Sequence, residues 1–205
     1  MRPAVRGSSG PDMEDDRYAI IGLGNPGREF RRNRHNIGFL VADRLASEAG
    51  LQFTRHQFQA LTTEGRWEGR RLVLAKPQTY MNLVGRSVGA LARFYRLPLD
   101  HLVIVLDDLD LPLGTLRLRG SGGTAGHKGL TSIVEALGTE EVPRLRVGIS
   151  RPPGQMDPAD YVLQDFTDFE QPTVEESLQR AVACLRTYIT QGLSTAMNLF
   201  NPVPS

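Results

Sequence analysis

The run Leu102-Val-Ile-Val-Leu106 is five consecutive aliphatic residues with no polar position to turn toward water. A strand of this kind has to be covered on both faces, the condition of an inner strand in a sheet flanked by helices. Shorter apolar runs recur along the chain, and between them the apolar spacing switches to that of a helix. Tyr18–Ile21 reads as a first strand, and Ile37, Leu40, Val41, Leu45 and Ala49 line one face of a helix stopped by Gly50. Gln59–Trp67 and Arg71–Ala75 read as two strands joined by a Glu68-Gly69 turn. A helix over 82–95 ends before Leu97-Pro98, and Thr115–Arg119 alternates like an edge strand. His127–Leu137 is helical, Arg144–Ser150 is a strand, and Thr173–Gln191 is a long amphipathic helix. Alternation of this kind predicts an α/β layer fold, and no linker or internal repeat divides it. We expect one catalytic domain over residues 17–205, preceded by a disordered leader over 1–16, with Met13 as an alternative start.

A chain of 205 residues with 40% apolar content can bury a core without disulfides or metal. The single cysteine, Cys184, sits within the apolar pattern of the last helix and reads as core filler. No apolar run approaches the roughly 18 residues of a membrane span, and the leader lacks the apolar stretch of a secretory signal. The expected setting is the cytoplasm. Net charge is +1, but its distribution is uneven: Arg28, Arg31, Arg32 and Arg34 face a single acid, Glu29, and further arginines gather between Gly114 and Arg151. Such a basic side on a near-neutral chain is a local footprint for phosphate.

The polar motifs follow the strands. Gly22-Leu-Gly-Asn25-Pro-Gly27 follows the first, Pro77-Gln-Thr-Tyr-Met-Asn82 the strand from Arg71, and Asp107-Asp-Leu-Asp110 the buried run. In open α/β sheets ligands bind at the carboxyl ends of parallel strands, so three motifs distant in sequence are expected to meet at one edge. Two literal pattern matches fail on context. Gly22-x-Gly24-x-x-Gly27 satisfies a dinucleotide fingerprint, yet no helix opens at the last glycine; the apolar helical pattern resumes only near Ile37. Gly85-x-Ser87-x-Gly89 has the form of a nucleophile elbow, yet Ser87 falls inside a helical pattern, where a small residue serves close packing. Because Ser87, Asp107 and His127 occur in hydrolase order, a Ser87-dependent esterase of small molecules stands as a rival mechanism.

His35 is different from His56 and His101, which have no motif around them. It is delivered at a helix start by a basic loop and is expected to face the strand end carrying Asp107. A histidine whose tautomer is held by a carboxylate is a competent general base for activating water. There is no paired-cysteine or His-x-x-x-His spacing, so no metal site is expected, and the reaction read from these residues is metal-free hydrolysis of an activated acyl bond.

Gly22-Leu-Gly-Asn-Pro-Gly27, Arg34-His35-Asn36, Lys76-Pro-Gln-Thr-Tyr-Met-Asn82, Asp107-Asp-Leu-Asp-Leu-Pro112, the glycine loop 120–129 and Arg144-Leu-Arg-Val-Gly-Ile149 together, and in this order, resemble the bacterial peptidyl-tRNA hydrolase family. The resemblance spans roughly Tyr18–Asn201. It implies a twisted mixed β-sheet flanked by helices, a monomer without cofactor, and hydrolysis of the ester joining a peptide to the tRNA 3' end. It also implies roles: His35 as the base, Asp107 as its orienting acid, Asn25 and Asn82 as amides holding the substrate's peptide and reacting end. Phe30 and Tyr80 are implied as aromatics beside the substrate, Met81 as a pocket wall, and Arg119 and Arg146 as contacts to acceptor-stem phosphate. Two positions depart from the family's pattern. Position 30 is Phe where tyrosine is common, and Gly126-His127-Lys128-Gly129 stands where His-Asn-Gly is usual. Lysine cannot accept a hydrogen bond, so Lys128 is expected to touch tRNA and not to act in the chemistry. His127 is left between a supporting and a structural role. A non-catalytic RNA-binding relative on the same fold is the other alternative. Composition and periodicity alone do not reach tRNA.

Overall fold

The computed structural model describes residues 17–202; the expected leader, and Met13 with it, lies outside them. Seven strands form one mixed sheet: β1 (Arg17–Gly22), β2 (Arg55–Gln57), β3 (Ala60–Trp67), β4 (Arg70–Pro77), β5 (Leu102–Asp108), β6 (Leu116–Arg119) and β7 (Arg144–Gly148). Their order is β2-β3-β4-β1-β5-β7-β6. The inner four, β4, β1, β5 and β7, run parallel, while β2, β3 and β6 add antiparallel edges. The helices are α1 (Ile37–Glu48), α2 (Val84–Tyr95), α3 (Lys128–Leu137), α4 (Pro158–Val162), α5 (Gln171–Gln191) and α6 (Leu193–Phe200).

Every residue of β5 is buried, as the aliphatic run requires. Val103 and Val105 join the core beneath α1 and α5, and Leu102, Ile104 and Leu106 join the core beneath α2 and α3. Each such side chain contributes about 1.5–3 kcal/mol of burial. Two glycines bring α1 into backbone contact with this sheet: a Cβ on Gly22 would lie 2.2 Å from the Gly38 carbonyl oxygen, and one on Gly38 would lie 2.4 Å from that of Val105. Gly22, the first glycine of the fingerprint-like motif, therefore serves helix-on-strand packing.

The expected elements are present with shifted ends. A 3-10 turn over Met81–Leu83 precedes α2, His127 caps α3 from outside, and α5 begins two residues earlier than its apolar pattern suggests. Three elements were not anticipated. β2 is three exposed residues, and α4 and α6 are too short to show periodicity. Among the described residues no helix is long and apolar enough to cross a membrane.

Candidate active site

The three strand-end motifs do meet. β1, β4 and β5 are parallel neighbours, so Leu23–Asn25, Pro77–Asn82 and Asp107 emerge at one edge. There they border a cavity of about 1300 Å3 lined by Asn25, His35, Tyr80, Met81, Asn82, Asp107, Lys128 and Arg146 among others. Phe30 and Arg119 do not line it. Phe30 ends a 3-10 turn, half-buried, and Arg119 pairs with Arg144 at the far end of β7 from Asp107.

His35 sits in a 3-10 turn over Arg34–Asn36 that runs directly into α1. Asn36, buried, clips this turn to the first motif: its Oδ1 accepts from the Asn25 N–H at 2.8 Å and its Nδ2 donates to the Asn25 carbonyl at 2.9 Å. Asn25 is thus fixed by its backbone, and its side chain borders the cavity. On the other side, the Arg34 N–H donates to the Gln164 carbonyl, and Asn33 forms a bridge with Asp165. Arg34 is 4% exposed, and its side chain makes two 2.8 Å bonds to the two oxygens of Glu170. Its guanidinium stacks over Tyr161 and Phe166, at 4.3 and 5.0 Å. Hydrogen bonding from Arg34 holds the Glu170 carboxyl down at about 2. Arg34 is therefore a buried clamp and not part of a phosphate footprint, which corrects the expectation drawn from the local charge count. Arg144 leaves that footprint too: it is 2% exposed and bonds the carbonyls of Val142, Glu140 and Gly122, shaping the glycine loop.

His35 Nδ1 lies 2.8 Å from Asp107 Oδ1, and His127 Nε2 lies 3.0 Å from the same oxygen. The tautomers follow from one further bond. The Leu130 N–H donates to His127 Nδ1 at 3.2 Å, so the proton of a neutral His127 is on Nε2 and points at Asp107. Asp107 is 4% exposed. Burial alone would raise its pKa, but the two imidazoles outweigh it and hold the carboxyl well below the usual carboxylate range. An ionised Asp107 accepts from His35 Nδ1–H, leaving His35 Nε2 without a proton. Supporting His127 in this place is Gly129, where a Cβ would meet Met81 Sδ at 2.5 Å and His127 Cε1 at 3.1 Å. The role left open for His127 by sequence is thus a second donor to the carboxylate; its capping position three residues before Leu130 was the available signal.

His35, Asp107 and His127 bring one nitrogen or oxygen each within 4.8 Å of one another, close enough for a metal ion. Such an ion would need the lone pair of His127 Nε2. The Leu130 N–H already occupies the other nitrogen, so Nε2 presents a hydrogen instead. The arrangement suits proton holding.

Around this centre the lining divides. Leu106, Leu130, Pro152, Pro158, Val162 and Leu163 form an apolar wall, partly supplied by the unanticipated α4. Asp157 caps α4, accepting from the Ala159 N–H at 2.7 Å, and Asp157-Pro158 was its sequence signal. Lys128 is exposed at the start of α3, and Tyr80 is 75% exposed at the rim. Arg146 Nε lies 2.6 Å from Asp108 Oδ2 without directing its hydrogen there, a charge contact more than a hydrogen bond. Ser87 is 2% exposed inside α2 and borders no part of the cavity; the neighbouring Gly85 is where α3 crosses, since a Cβ would lie 1.9 Å from the Ser132 carbonyl oxygen.

The family model for peptidyl-tRNA hydrolase matches residues 19–205. Peptidyl-tRNA hydrolase of Carboxydothermus hydrogenoformans is 48% identical over 184 residues, covering 90% of this chain and 98% of that one. Its counterpart from Chloroflexus aurantiacus is 49% identical, covering 91% of this chain and all of the other. The crystal structure of peptidyl-tRNA hydrolase from Acinetobacter baumannii superimposes with a TM-score of 0.85 at 33% identity, covering 94% of this chain and 97% of that chain.

Proposed function

The chain belongs to the peptidyl-tRNA hydrolase family and hydrolyses peptidyl-tRNA, and from this we propose that His35 is its general base and Asp107 the group that orients that base. The observation that carries the proposal is Asp107 Oδ1 held between His35 Nδ1 and His127 Nε2. His35 Nε2 takes a proton from water, and the resulting hydroxide adds to the ester carbonyl. The tetrahedral intermediate collapses, the bond to the tRNA 3' oxygen breaks, and the imidazolium returns its proton to that oxygen. Asp107 stabilises the imidazolium while it exists, and His127 keeps the carboxylate aimed.

The cavity's two-sided lining supports a division of binding. The apolar wall with Met81 receives the acyl chain, while the amides of Asn25 and Asn82 hold the peptide group and reacting end. An amide offers donor and acceptor together, so a free aminoacyl ester would leave a polar group unmatched. Tyr80, at the rim, and Phe30, which does not line the cavity, stack on the 3' end. Lys128 and Arg146 at the cavity, and Arg119 beyond it, meet acceptor-stem phosphates, which give register without reading sequence. We extend the proposal to a monomer acting in the cytoplasm, with residues 17–205 as one catalytic domain. A Ser87-dependent esterase is disfavoured by the burial of that serine, and a purely RNA-binding relative by the retained base and its orienter.

Release of labelled N-acetyl-aminoacyl groups from tRNA, with chelator present, tests this. His35→Ala should lower release by about 10²–10⁴-fold while uncharged tRNA binding is kept. Release that survives the substitution removes His35 from the chemistry.

A further inference from the structure

At the end of the sheet opposite the active site, three arginines stand in one cross-strand row. Arg17 opens β1 and is in register with Arg71 on β4, which is in register with Arg66 on β3. Residues in register point to the same face, here the face covered by α2. Their neighbours Ala19 and Val73, two residues further along β1 and β4, belong to the core under that helix. Like charges directly opposite one another on a sheet are destabilising, and this row stacks two such oppositions. Among the described residues neither Arg66 nor Arg71 has an acidic partner. Arg17 lies over the Tyr95 ring, 4.7 Å from its centre.

The row borders a shallow, open depression, and Arg66 and Arg71 are exposed. Arg17, Arg66 and Arg71 line a cavity of about 250 Å3 together with Glu64, Gly65 and Leu72. Glu64, the acid in this lining, is already engaged: it pairs with Arg55 and accepts from the Tyr95 hydroxyl at 3.3 Å. Three arginines therefore border this depression, and the acid in its lining is committed elsewhere. Neighbouring strands are about 4.8 Å apart, so the row covers about 10 Å, and guanidinium is the side chain best matched to paired phosphate oxygens.

We propose that Arg17, Arg66 and Arg71 form an anion-binding site, separate from the catalytic cavity, for a compact multiply charged phosphate of the diphosphate class. The small volume of the depression and the in-register row of three arginines favour such a ligand over an extended chain. Binding removes the like-charge opposition along the row and so stabilises the folded protein by mass action. Glu14, Asp15 and Asp16 immediately precede Arg17 in sequence and are natural competitors, so the test uses the full chain.

The probe is inorganic pyrophosphate, titrated calorimetrically and by thermal denaturation at constant ionic strength, against the parent and Arg66→Gln/Arg71→Gln. Glutamine keeps polarity and part of the aliphatic stem at two exposed positions, and removal of the opposed charges should leave the ligand-free melting temperature unchanged or raised. The expected result is saturable binding by the parent with a rise in melting temperature, weakened at least about tenfold in the double variant, a loss of roughly 1.4 kcal/mol. Peptidyl-tRNA hydrolysis should be the same in both proteins. Absence of pyrophosphate binding by the full chain, or equal binding by the double variant, overturns the site. Binding that is lost instead in Lys128→Ala places the anion in the catalytic cavity and equally overturns it.

Discussion

Replacing Glu170 with Gln removes one charge from a pair whose other member has nowhere to go. Arg34 is 4% exposed, and both of its terminal nitrogens are spent on Glu170 at 2.8 Å. Breaking a buried pair from one side costs about 3–5 kcal/mol, because the remaining charge is left uncompensated. The carboxyl's own titration gives a similar figure. Its pKa falls from 4.5 to about 2, and at about 1.4 kcal/mol per pH unit this is roughly 3 kcal/mol. The Glu170 side chain keeps 19% exposure, which favours the lower end. For a domain of this size about 1 kcal/mol moves the melting temperature by about 2–4 °C, so Glu170→Gln should melt about 6–12 °C below the parent at neutral pH. The sign with pH is fixed by the depressed pKa. The stabilisation is fully present above 4.5 and is lost as pH falls through about 2, so parent and variant should converge across that window. Thermal and urea denaturation of both proteins at neutral pH and at steps below 4.5 measure this. The clamp also joins the turn bearing His35 to the 161–170 segment behind the cavity wall, so kcat should fall in the variant more than KM rises. A neutral-pH destabilisation below about 1 kcal/mol, or a gap that stays constant into acid, would refute the reasoning.

Asp107→Asn keeps size but removes the negative charge that holds His35 Nδ1–H and stabilises its imidazolium, and kcat should drop by about 10²–10⁴-fold at little-changed KM; single-turnover release measures it. Gly129→Ala places a Cβ 2.5 Å from Met81 Sδ and 3.1 Å from His127 Cε1. Those side chains can yield, so melting should change little while kcat falls, which paired melting curves and kinetics will check. Arg119→Ala should lower the slope of tRNA affinity against salt by about one counterion and leave the chemical step intact; an unchanged slope removes Arg119 from the phosphate contacts.

The legible parts of the fold are those where local chemistry leaves one answer. Leu102–Leu106 has no polar face, so its burial on both sides followed directly, and parallel neighbours then forced Asn25, Asn82 and Asp107 together. The pair His35–Asp107 was readable because each sits where a strand end or helix start must point. Partners decided the rest. Arg34 reads as surface charge until Glu170, 136 residues away, is placed against it. His127 becomes informative through the Leu130 N–H, which fixes where its proton lies. A five-residue helix such as α4 has no period to detect, yet it supplies Val162 to the cavity wall. Ser87, kept from the sequence as a rival nucleophile, lies buried in α2, because a helical pattern through Gly85 and Gly89 is a packing face where α3 crosses it.

The account turns on the proton positions of two imidazoles, and nitrogen-15 NMR of histidine-labelled protein observes them directly. With His35→Gln and His127→Gln used to assign the signals, His35 should show a protonated Nδ1 and a bare Nε2. His127 should show the reverse, a bare Nδ1 under the Leu130 N–H and a protonated Nε2 on Asp107. A neutral His35 carrying its proton on Nε2 would have no lone pair to offer the water, and would contradict its assignment as the base.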